Sequence, residues 1–441
     1  MEIQVTNRER YYDVIVAGGG PAGIAAAIKA ARGGAKTLIV EQTTALGGMA
    51  TVGMVSRMTR YTDQQNLLYH SFALEMLDRY KAFVGFNPNF YGKTPLYTEE
   101  LKLVLDEMVT EAGVEVLFQS MVCSVVREDN EIKALIVANK DGLTPYTAHT
   151  YIDCTGDGDV AALCGVPFEK GDEEGRMQPL SLCYVISGVD LSLLPVPGDI
   201  LSVSTMKWKE QWKVIAADER FPLVKAHFVP VLQGNNIVYV NAGHIFDVDS
   251  TDPVAMSNAY MLGRRIAHET VEALKVYVPG AFENAYVTAT APLMGIRESR
   301  RIVGDFRLTV DDYINQATFP DEVGRNHNWL DNHTSPGQKN AVQGLKLAPG
   351  ESHGIPYRMV LPHGVSNLLV AGRCSSMDRR VFASMRVMPN CIVLGEAAGI
   401  AAGLSVTKGI AVDKVDPVEV AAKIEPMPEG VIPDEENYLL K

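Results

Sequence analysis

A buried strand, a glycine turn, an alanine-rich helix and a second strand ending in an acid fill residues 12–41, and few folds accept that order. Tyr12 to Ala17 is a short apolar, β-branched run that reads as a strand. Gly18-Gly19-Gly20-Pro21-Ala22-Gly23 follows, and then Ile24 to Ala31, an alanine-rich segment of high helix propensity. Gly33 and Gly34 end that helix, Lys36 to Val40 reads as the next strand, and Glu41 terminates it. In this setting a G-x-G-x-x-G turn is a dinucleotide fingerprint, whereas on its own it is a tight turn. Gly18 permits the turn, Gly20 lets a pyrophosphate approach the backbone, and Gly23 lets the helix pack on the strand. The helix N-terminus adds free N–H groups and partial positive charge. Glu41, 18 residues after Gly23, stands near the usual offset for binding ribose hydroxyls.

The next stretch separates a flavin dinucleotide from a nicotinamide one. Leu46-Gly47-Gly48-Met49-Ala50-Thr51 offers a glycine pair that can bring a second backbone segment onto the pyrophosphate or ribityl chain; the alternative is an ordinary loop. Thr98 to Ala112 has helical apolar spacing and stops at Gly113. Val114 to Phe118 reads as a strand, and Val122 to Val126 with Ile132 to Ala138 as a hairpin. Tyr146 to Asp153 is a further strand. It runs into Cys154-Thr155-Gly156-Asp157-Gly158-Asp159, where small residues allow backbone contact with a cofactor and either Asp157 or Asp159 suits a helix cap.

The pattern then changes. Between Met177 and Tyr357, Leu182 to Ile186 and Ile237 to Val240 read as strands and Asn258 to Val276 as a long helix. Trp208 and Trp212 fall at helical spacing among lysines, which suits either packing or a lid. Asn367 to Ala371 is again a buried strand. Ile392 to Leu404 carries a face of Gly395, Ala398, Gly399 and Ala402 suited to close packing against a sheet or cofactor, and Pro389 fits a first helical turn.

Composition removes other classes. Forty Lys and Arg against 53 Asp and Glu leave a formal charge of −13, which gives no global field for nucleic acid. Six cysteines are scattered with no C-x-x-C pair, so neither a metal site nor a cysteine-ligated cluster is expected, and reducing cytoplasm is the expected setting. The longest apolar stretch, Cys391 to Val406, contains Glu396 and several glycines, so no membrane span is expected. The polar start, Glu2 to Arg10, carries no hydrophobic signal region.

Taken together, the turn at 18–23, Leu46-Gly47-Gly48, Thr155-Gly156-Asp157-Gly158-Asp159, Gly295-Ile296-Arg297-Glu298-Ser299-Arg300-Arg301 and Gly372-Arg373-Cys374 through Gly399 resemble the FAD-dependent oxidoreductases related to the flavin subunit of heterodisulfide reductase. The resemblance runs from about Asp13 to Val406. It implies an α/β fold of glutathione-reductase-like type: a Rossmann-type FAD-binding domain from residues 1–176 and 358–412, with an inserted mixed-sheet α+β substrate domain at 177–357 and a C-terminal surface segment at 413–441. It implies FAD as cofactor, with Gly18, Gly20, Pro21, Ala22 and Gly23 at the pyrophosphate and Glu41 and Gln42 at the adenosine ribose. It places Gly47, Gly48 and Thr51 along the middle, Val122 near the adenine, Thr155, Gly156 and Asp157 against the cofactor, and Gly372 and Arg373 at the ribityl phosphate. Met388, Asn390 and Cys391 then open a helix aimed at the flavin pyrimidine, where a helix N-terminus stabilises the negative charge that reduction brings. The clustered cysteines of larger iron–sulfur relatives are absent, and Arg379 stands where many relatives have a histidine.

A flavin needs a base and orientation from the protein. His244, His353 and Tyr357 are the candidate bases. Arg386 and Arg297 are the candidates to orient an anionic substrate, the alternative being structural ion pairs. The leading expectation is a dehydrogenase or oxidase moving hydride from a small polar, anionic substrate to flavin N5, with an unspecified electron acceptor and an open oligomeric state. A flavin reductase or electron-transfer component working with a partner protein is the alternative.

Overall fold

The computed structural model describes residues 10–193, 212–225, 227–233, 236–333, 344–427, 433, 434 and 436. The fingerprint folds as its pattern requires. Strand β1 (Arg10–Ala17) leads into helix α1 (Pro21–Arg32), and β2 (Thr37–Val40) returns parallel beside β1. β3 (Glu115–Leu117) extends the sheet beyond β2, while β4 (Met121–Glu128), β5 (Glu131–Asn139) and β6 (Gly142–Asp153) form an antiparallel run whose last strand pairs parallel with β1.

β6 is long enough to serve two neighbours on one edge. Its first half pairs with β5, and its second half, Tyr151 to Asp153, pairs parallel with β15 (Leu368–Val370). The chain after residue 357 therefore rejoins the first sheet.

A second sheet, antiparallel throughout, has the order β11 (Tyr286–Thr290), β8 (Tyr184–Ser187), β10 (Ile237–Ala242), β9 (Phe228–Leu232). Period-two alternation gives it two unlike faces. Tyr184, Ile186, Val238 and Val240 pack with Ala267, Val271 and Leu274 of the helix Pro253–Tyr277. Tyr239 on the opposite face reaches Thr98, hydroxyl to hydroxyl at 3.0 Å. Trp208 lies outside the described residues. Trp212 packs rather than projecting: it is buried, stacks on Phe228 at 4.0 Å and donates to Lys225 O.

The glycine stripe of the helix Met388–Lys408 meets α1, not a sheet or a ligand. A Cβ on Gly395 would stand 2.0 Å from Ala22 O and one on Gly399 2.2 Å from Ala26 O, so glycine sets the distance between these helices. This helix is long and apolar enough to cross a membrane by composition alone, but 83% of that apolar window is buried inside the protein. Its one acid, Glu396, is buried with Lys29 Nζ at 2.9 Å and accepts from Ser71 Oγ and Phe72 N. Residues beyond 412 are not confined to the surface, because Val412, Val415 and Val420 join the main core.

Candidate active site and cofactor cradle

The turn at 18–23 is built around empty space at one glycine and around contact at two others. Gly18 has φ +96°, and a Cβ there would meet Cys154 O at 2.5 Å; a Cβ on Gly23 would meet Gly18 O at 1.8 Å. A Cβ on Gly20 would meet nothing within 4 Å. Gly20 also caps α1 without a side-chain hydrogen bond, and the first N–H groups of a helix have no partner within it. Gly48 comes against Gly20, with its Cβ position 3.0 Å from the Gly20 Cα, so Leu46-Gly47-Gly48 does deliver a second backbone segment to the turn. Thr51 turns inward and donates to Leu46 O at 2.5 Å, closing this loop. Pro21 and Ala22 form the first turn of α1.

Glu41 is buried and accepts from Gly19 N at 2.6 Å and Thr43 N at 2.7 Å. It therefore fixes the turn as well as ending β2. Gln42 beside it is exposed. Ser120 N donates to Glu41 O, which brings the start of β4, and Val122 with it, to this end of the sheet. An open glycine approach, an uncapped helix N-terminus, a second glycine segment and a buried acid at the end of β2 are the parts a dinucleotide needs. The residues present fit FAD.

The other motifs are tied to one another. Arg373 donates to Gly156 O at 3.0 Å, Ile296 O at 2.8 Å and Asp157 Oδ1 at 2.5 Å. Its guanidinium is thus occupied by protein, and only its backbone and Gly372, at φ +105° against Ala22, remain toward the cradle. The helix Asp159–Leu163 is held by Asp153, which accepts from Ala161 N, and by Thr155, which accepts from Asp159 N. Asp157 and Asp159 pair instead with Arg373 and Arg300. Neither is the cap.

The N-terminus of the helix Met388–Lys408 has no side-chain cap. Asn390 is fully buried, and both ends of its amide are used: Tyr69 OH donates to Oδ1 at 2.6 Å and Nδ2 donates to Ser384 O at 3.1 Å. Cys391 is buried with its thiol pushed up to about 12 by burial, which makes it a packing residue and a poor nucleophile. Met388 remains half-buried at the helix start.

Directly before that helix lies a cluster assembled from five parts of the chain. His227 precedes β9 and His244 follows β10; the pairing of these strands stacks their rings at 4.2 Å. His333 stands edge-on to His244 at 4.8 Å and to His227 at 5.6 Å. Its Nε2 is 3.2 Å from Asp331 Oδ2, and Arg386 Nη2 lies 3.3 Å from the same oxygen. Arg297 is buried and donates to Pro179 O at 2.8 Å and Ser181 Oγ at 2.9 Å. Burial and then Arg386 lower Arg297 to about 10, and burial lowers Arg386 as well. Burial would raise Asp331, but the His333 hydrogen bond and the charges of Arg386, His333 and Arg297 outweigh it and hold the carboxyl well below the usual range. Burial, then Arg297, takes His227 down to about 3 and lowers His244 further. Both rings are neutral at ordinary pH. Among the described residues, His227 Nδ1, His244 Nε2 and Arg386 Nε are buried without a hydrogen-bond partner.

Of the expected catalytic residues, the structure brings Arg386, Arg297 and His244 together and leaves His353 and Tyr357 outside. His353 is fully buried; its Nε2 meets Asn326 Nδ2 at 2.9 Å, its Nδ1 meets Gly354 O, and burial lowers it to about 4. Tyr357 is buried where Asp413 and Asp321 act on it. His227, His333 and Asp331 are the members sequence reasoning did not assign. The signal for His227 was the β9–β10 hairpin, whose first strand Pro230 obscures.

Over 128 residues the chain is 35% identical to a thiamine thiazole synthase of Aeropyrum pernix, a match that spans 28% of this chain and 43% of that protein. A geranylgeranyl bacteriochlorophyll reductase-like protein of Thermoplasma acidophilum aligns with 95% of this chain and 83% of its own at 13% identity and TM-score 0.45. The p-nitrophenol 4-monooxygenase of Pseudomonas putida aligns with 94% of this chain and 84% of its own at 13% identity and TM-score 0.49. The profile of a family described as FAD dependent oxidoreductase matches residues 13–424, nearly the whole span that carries the cradle and the cluster, and the chain belongs to that family of FAD-dependent enzymes.

Proposed function

We propose that this enzyme oxidises a small carboxylate-bearing substrate at the Arg297–Arg386 cluster. One observation carries the reading. Two buried guanidiniums feel the charge of Asp331, which pairs with Arg386 and with His333, while the other acid acting on Arg386, Glu298, is already tied to Arg301 and Arg379. A buried cation in excess is unfavourable unless an anion completes it, and a guanidinium receives a carboxylate in a planar, directional way. The unpartnered Arg386 Nε is a donor available to that anion.

Bound FAD supplies a two-electron acceptor. The chain does the rest. Arg297 and Arg386 hold the substrate carboxylate. The substrate carboxylate offsets the Arg297 charge that depresses the histidines, and a ring nitrogen, His244 Nε2 or His227 Nδ1, so made more basic accepts the proton of the substrate's hydroxyl or amino group. Asn390, held by Tyr69 and Ser384, fixes the helix N-terminus that faces the site.

The test is an anaerobic flavin-bleaching screen of the FAD-loaded protein with 2-hydroxy acids, amino acids, sugars and NAD(P)H. Bleaching by an acid but not by its methyl ester is expected, and Arg386→Gln should lower kcat/KM for that acid about 100-fold. Bleaching by NAD(P)H alone would replace this reading with that of a reductase.

A further inference from the structure

A buried amide borders the arginine–histidine cluster and has no part in holding the carboxylate. Residues 178–181 run between two of the segments that build the cluster. On one side Leu180 N donates to Ile245 O and Ile245 N to Leu180 O, both at 2.9 Å, directly after His244. On the other, Ser181 N donates to Gly295 O at 3.1 Å and Gly295 N to Ser181 O at 2.9 Å, two residues before Arg297. Arg297 itself donates to Pro179 O at 2.8 Å and Ser181 Oγ at 2.9 Å. Gln178 heads this segment. Its N–H donates to Glu298 Oε2 at 3.0 Å, a carboxylate that Arg301 and Arg379 also hold.

The side chain of Gln178 is buried, with the residue 1% exposed. His333 N donates to its Oε1 at 3.3 Å, so the amide reaches the loop that carries Asp331 and His333. That hydrogen bond also orients the amide, because the reverse orientation would set N–H against N–H. The NH2 is thereby committed as a donor, and among the described residues Nε2 is buried without an acceptor. Arg386 Nε is in the same condition. Buried polar groups are as a rule hydrogen-bonded. A neutral histidine ring can meet its need from either side, whereas an amide NH2 and a guanidinium can only donate. The cluster therefore calls for acceptor atoms.

A hydroxyl group answers both needs at once. Its oxygen accepts from Gln178 Nε2 while its O–H donates to a ring nitrogen of His244 or His227. An ammonium group has three donors and no acceptor, and it would bring a further positive charge to Arg297 and Arg386.

We propose that Gln178 Nε2 binds the oxygen of the group that is oxidised, so that the substrate is a hydroxy acid and not an amino acid. The proposal rests on the carboxylate reading above and adds the second functional group of the same substrate. In the oxidation the O–H proton passes to the ring nitrogen, the C–H hydrogen leaves with its electron pair as hydride for the bound FAD, and the C–O bond becomes a carbonyl. Negative charge gathers on the oxygen as its proton departs, which is where a fixed N–H donor has most effect.

The experiment is anaerobic stopped-flow reduction of the FAD-loaded protein by 2- and 3-hydroxy acids, each paired with the amino acid and the unsubstituted acid of the same carbon chain. At least one hydroxy acid should bleach the flavin at least about 100-fold faster than its amino counterpart, since a site built to hydrogen-bond an oxygen rejects an analogue that cannot accept. Gln178→Met should lower kcat/KM for that hydroxy acid about 10- to 100-fold, while the unsubstituted acid, measured as a competitive inhibitor, keeps its affinity. Gln178→Asn, which keeps an amide but draws its NH2 back, should show the same selective loss and replaces the Met variant if that one does not fold. An amino acid that bleaches the flavin within that factor of its hydroxy counterpart would overturn the assignment of Gln178 and leave Arg297 and Arg386 as the carboxylate site. So would a Gln178 variant that weakens the hydroxy acid no more than the unsubstituted acid. A flavin bleached by neither class of acid would overturn the carboxylate reading itself.

Discussion

Gly20 and Gly23 are three residues apart, and the structure predicts opposite consequences for adding one methyl group to each. At Gly23 the new Cβ would lie 1.8 Å from Gly18 O, well over an ångström inside contact distance and against backbone. Relief requires α1 to move off β1. Overpacking of this kind costs about 3 kcal/mol, set against about 1 kcal/mol gained by replacing glycine inside a helix, for a net loss of ~2 kcal/mol. At Gly20 nothing lies within 4 Å of the Cβ position, and φ −73°, ψ −176° is extended backbone that alanine adopts freely. The loss of glycine as N-cap, a few tenths of a kcal/mol to about 1 kcal/mol, is offset by the lower entropy of the unfolded alanine chain, about 0.4–1 kcal/mol. Stability without cofactor is then nearly unchanged. With FAD the order reverses, because the methyl at residue 20 occupies the approach of the pyrophosphate. A steric loss of about 1–3 kcal/mol weakens FAD binding about 5- to 150-fold. Thermal denaturation of the cofactor-free proteins and flavin fluorescence titration measure the two quantities. If Gly20→Ala bound FAD as tightly as the parent, or destabilised the cofactor-free protein as much as Gly23→Ala, the open space at Gly20 would not be the cofactor's path.

Three further outcomes follow from buried polar groups. His227 and His353, held at about 3 and about 4 by burial, are neutral in the fold and become charged in the unfolded chain. Their folded values are depressed, so their contribution is complete above about pH 6.5 and lost as pH falls toward 3, at about 1.4 kcal/mol per pH unit for each ring; urea midpoints at pH 7, 5.5 and 4.5 should decline, and less steeply in His227→Gln. Tyr69→Phe removes the donor to Asn390 Oδ1 and the acceptor of Asn328 Nδ2, costing about 1–3 kcal/mol and shifting the flavin reduction potential measured by dye equilibration; an unchanged potential would separate Asn390 from the cofactor. Arg373→Met severs three contacts joining residues 156, 157 and 296 and should lower stability by about 2–3 kcal/mol in thermal melts, whereas an unaltered melting temperature would show the latch to be idle.

The parts of this protein that were legible in its sequence are those written contiguously. The turn at 18–23, its two strands and Glu41 lie within thirty residues or so, and each has a local physical reason that does not depend on the rest of the fold. The helix over 388–408 was legible for the same reason, although its glycine face read as suited to a sheet or a cofactor, and Ala22 and Ala26 of a second helix stand against it instead. Arg373 shows the limit of a motif. Its position beside the cradle follows from the glycine before it, but the direction of its guanidinium depends on Asp157 and Ile296, 216 and 77 residues away.

The arginine–histidine cluster belongs to the other kind of information. Histidines 227, 244 and 333, Asp331, Arg297 and Arg386 come from segments with no common motif, and no spacing among them carries meaning. Two of the six are joined by a hairpin whose first strand contains Pro230 and so reads poorly as a strand. Two more sit in a loop that gives no periodic signal. What unites them is electrostatic: each is perturbed by at least one of the others, and such mutual perturbation exists only once the chain has folded. His353 illustrates the converse. It has the residue type of a base, yet Asn326 and Gly354 occupy both of its nitrogens. His244 shares that residue type but keeps a buried nitrogen without a partner among the described residues, near the Arg297 guanidinium. Residue type nominated both, and only the hydrogen-bond inventory of the folded chain distinguishes the ring that is spent from the ring that is available.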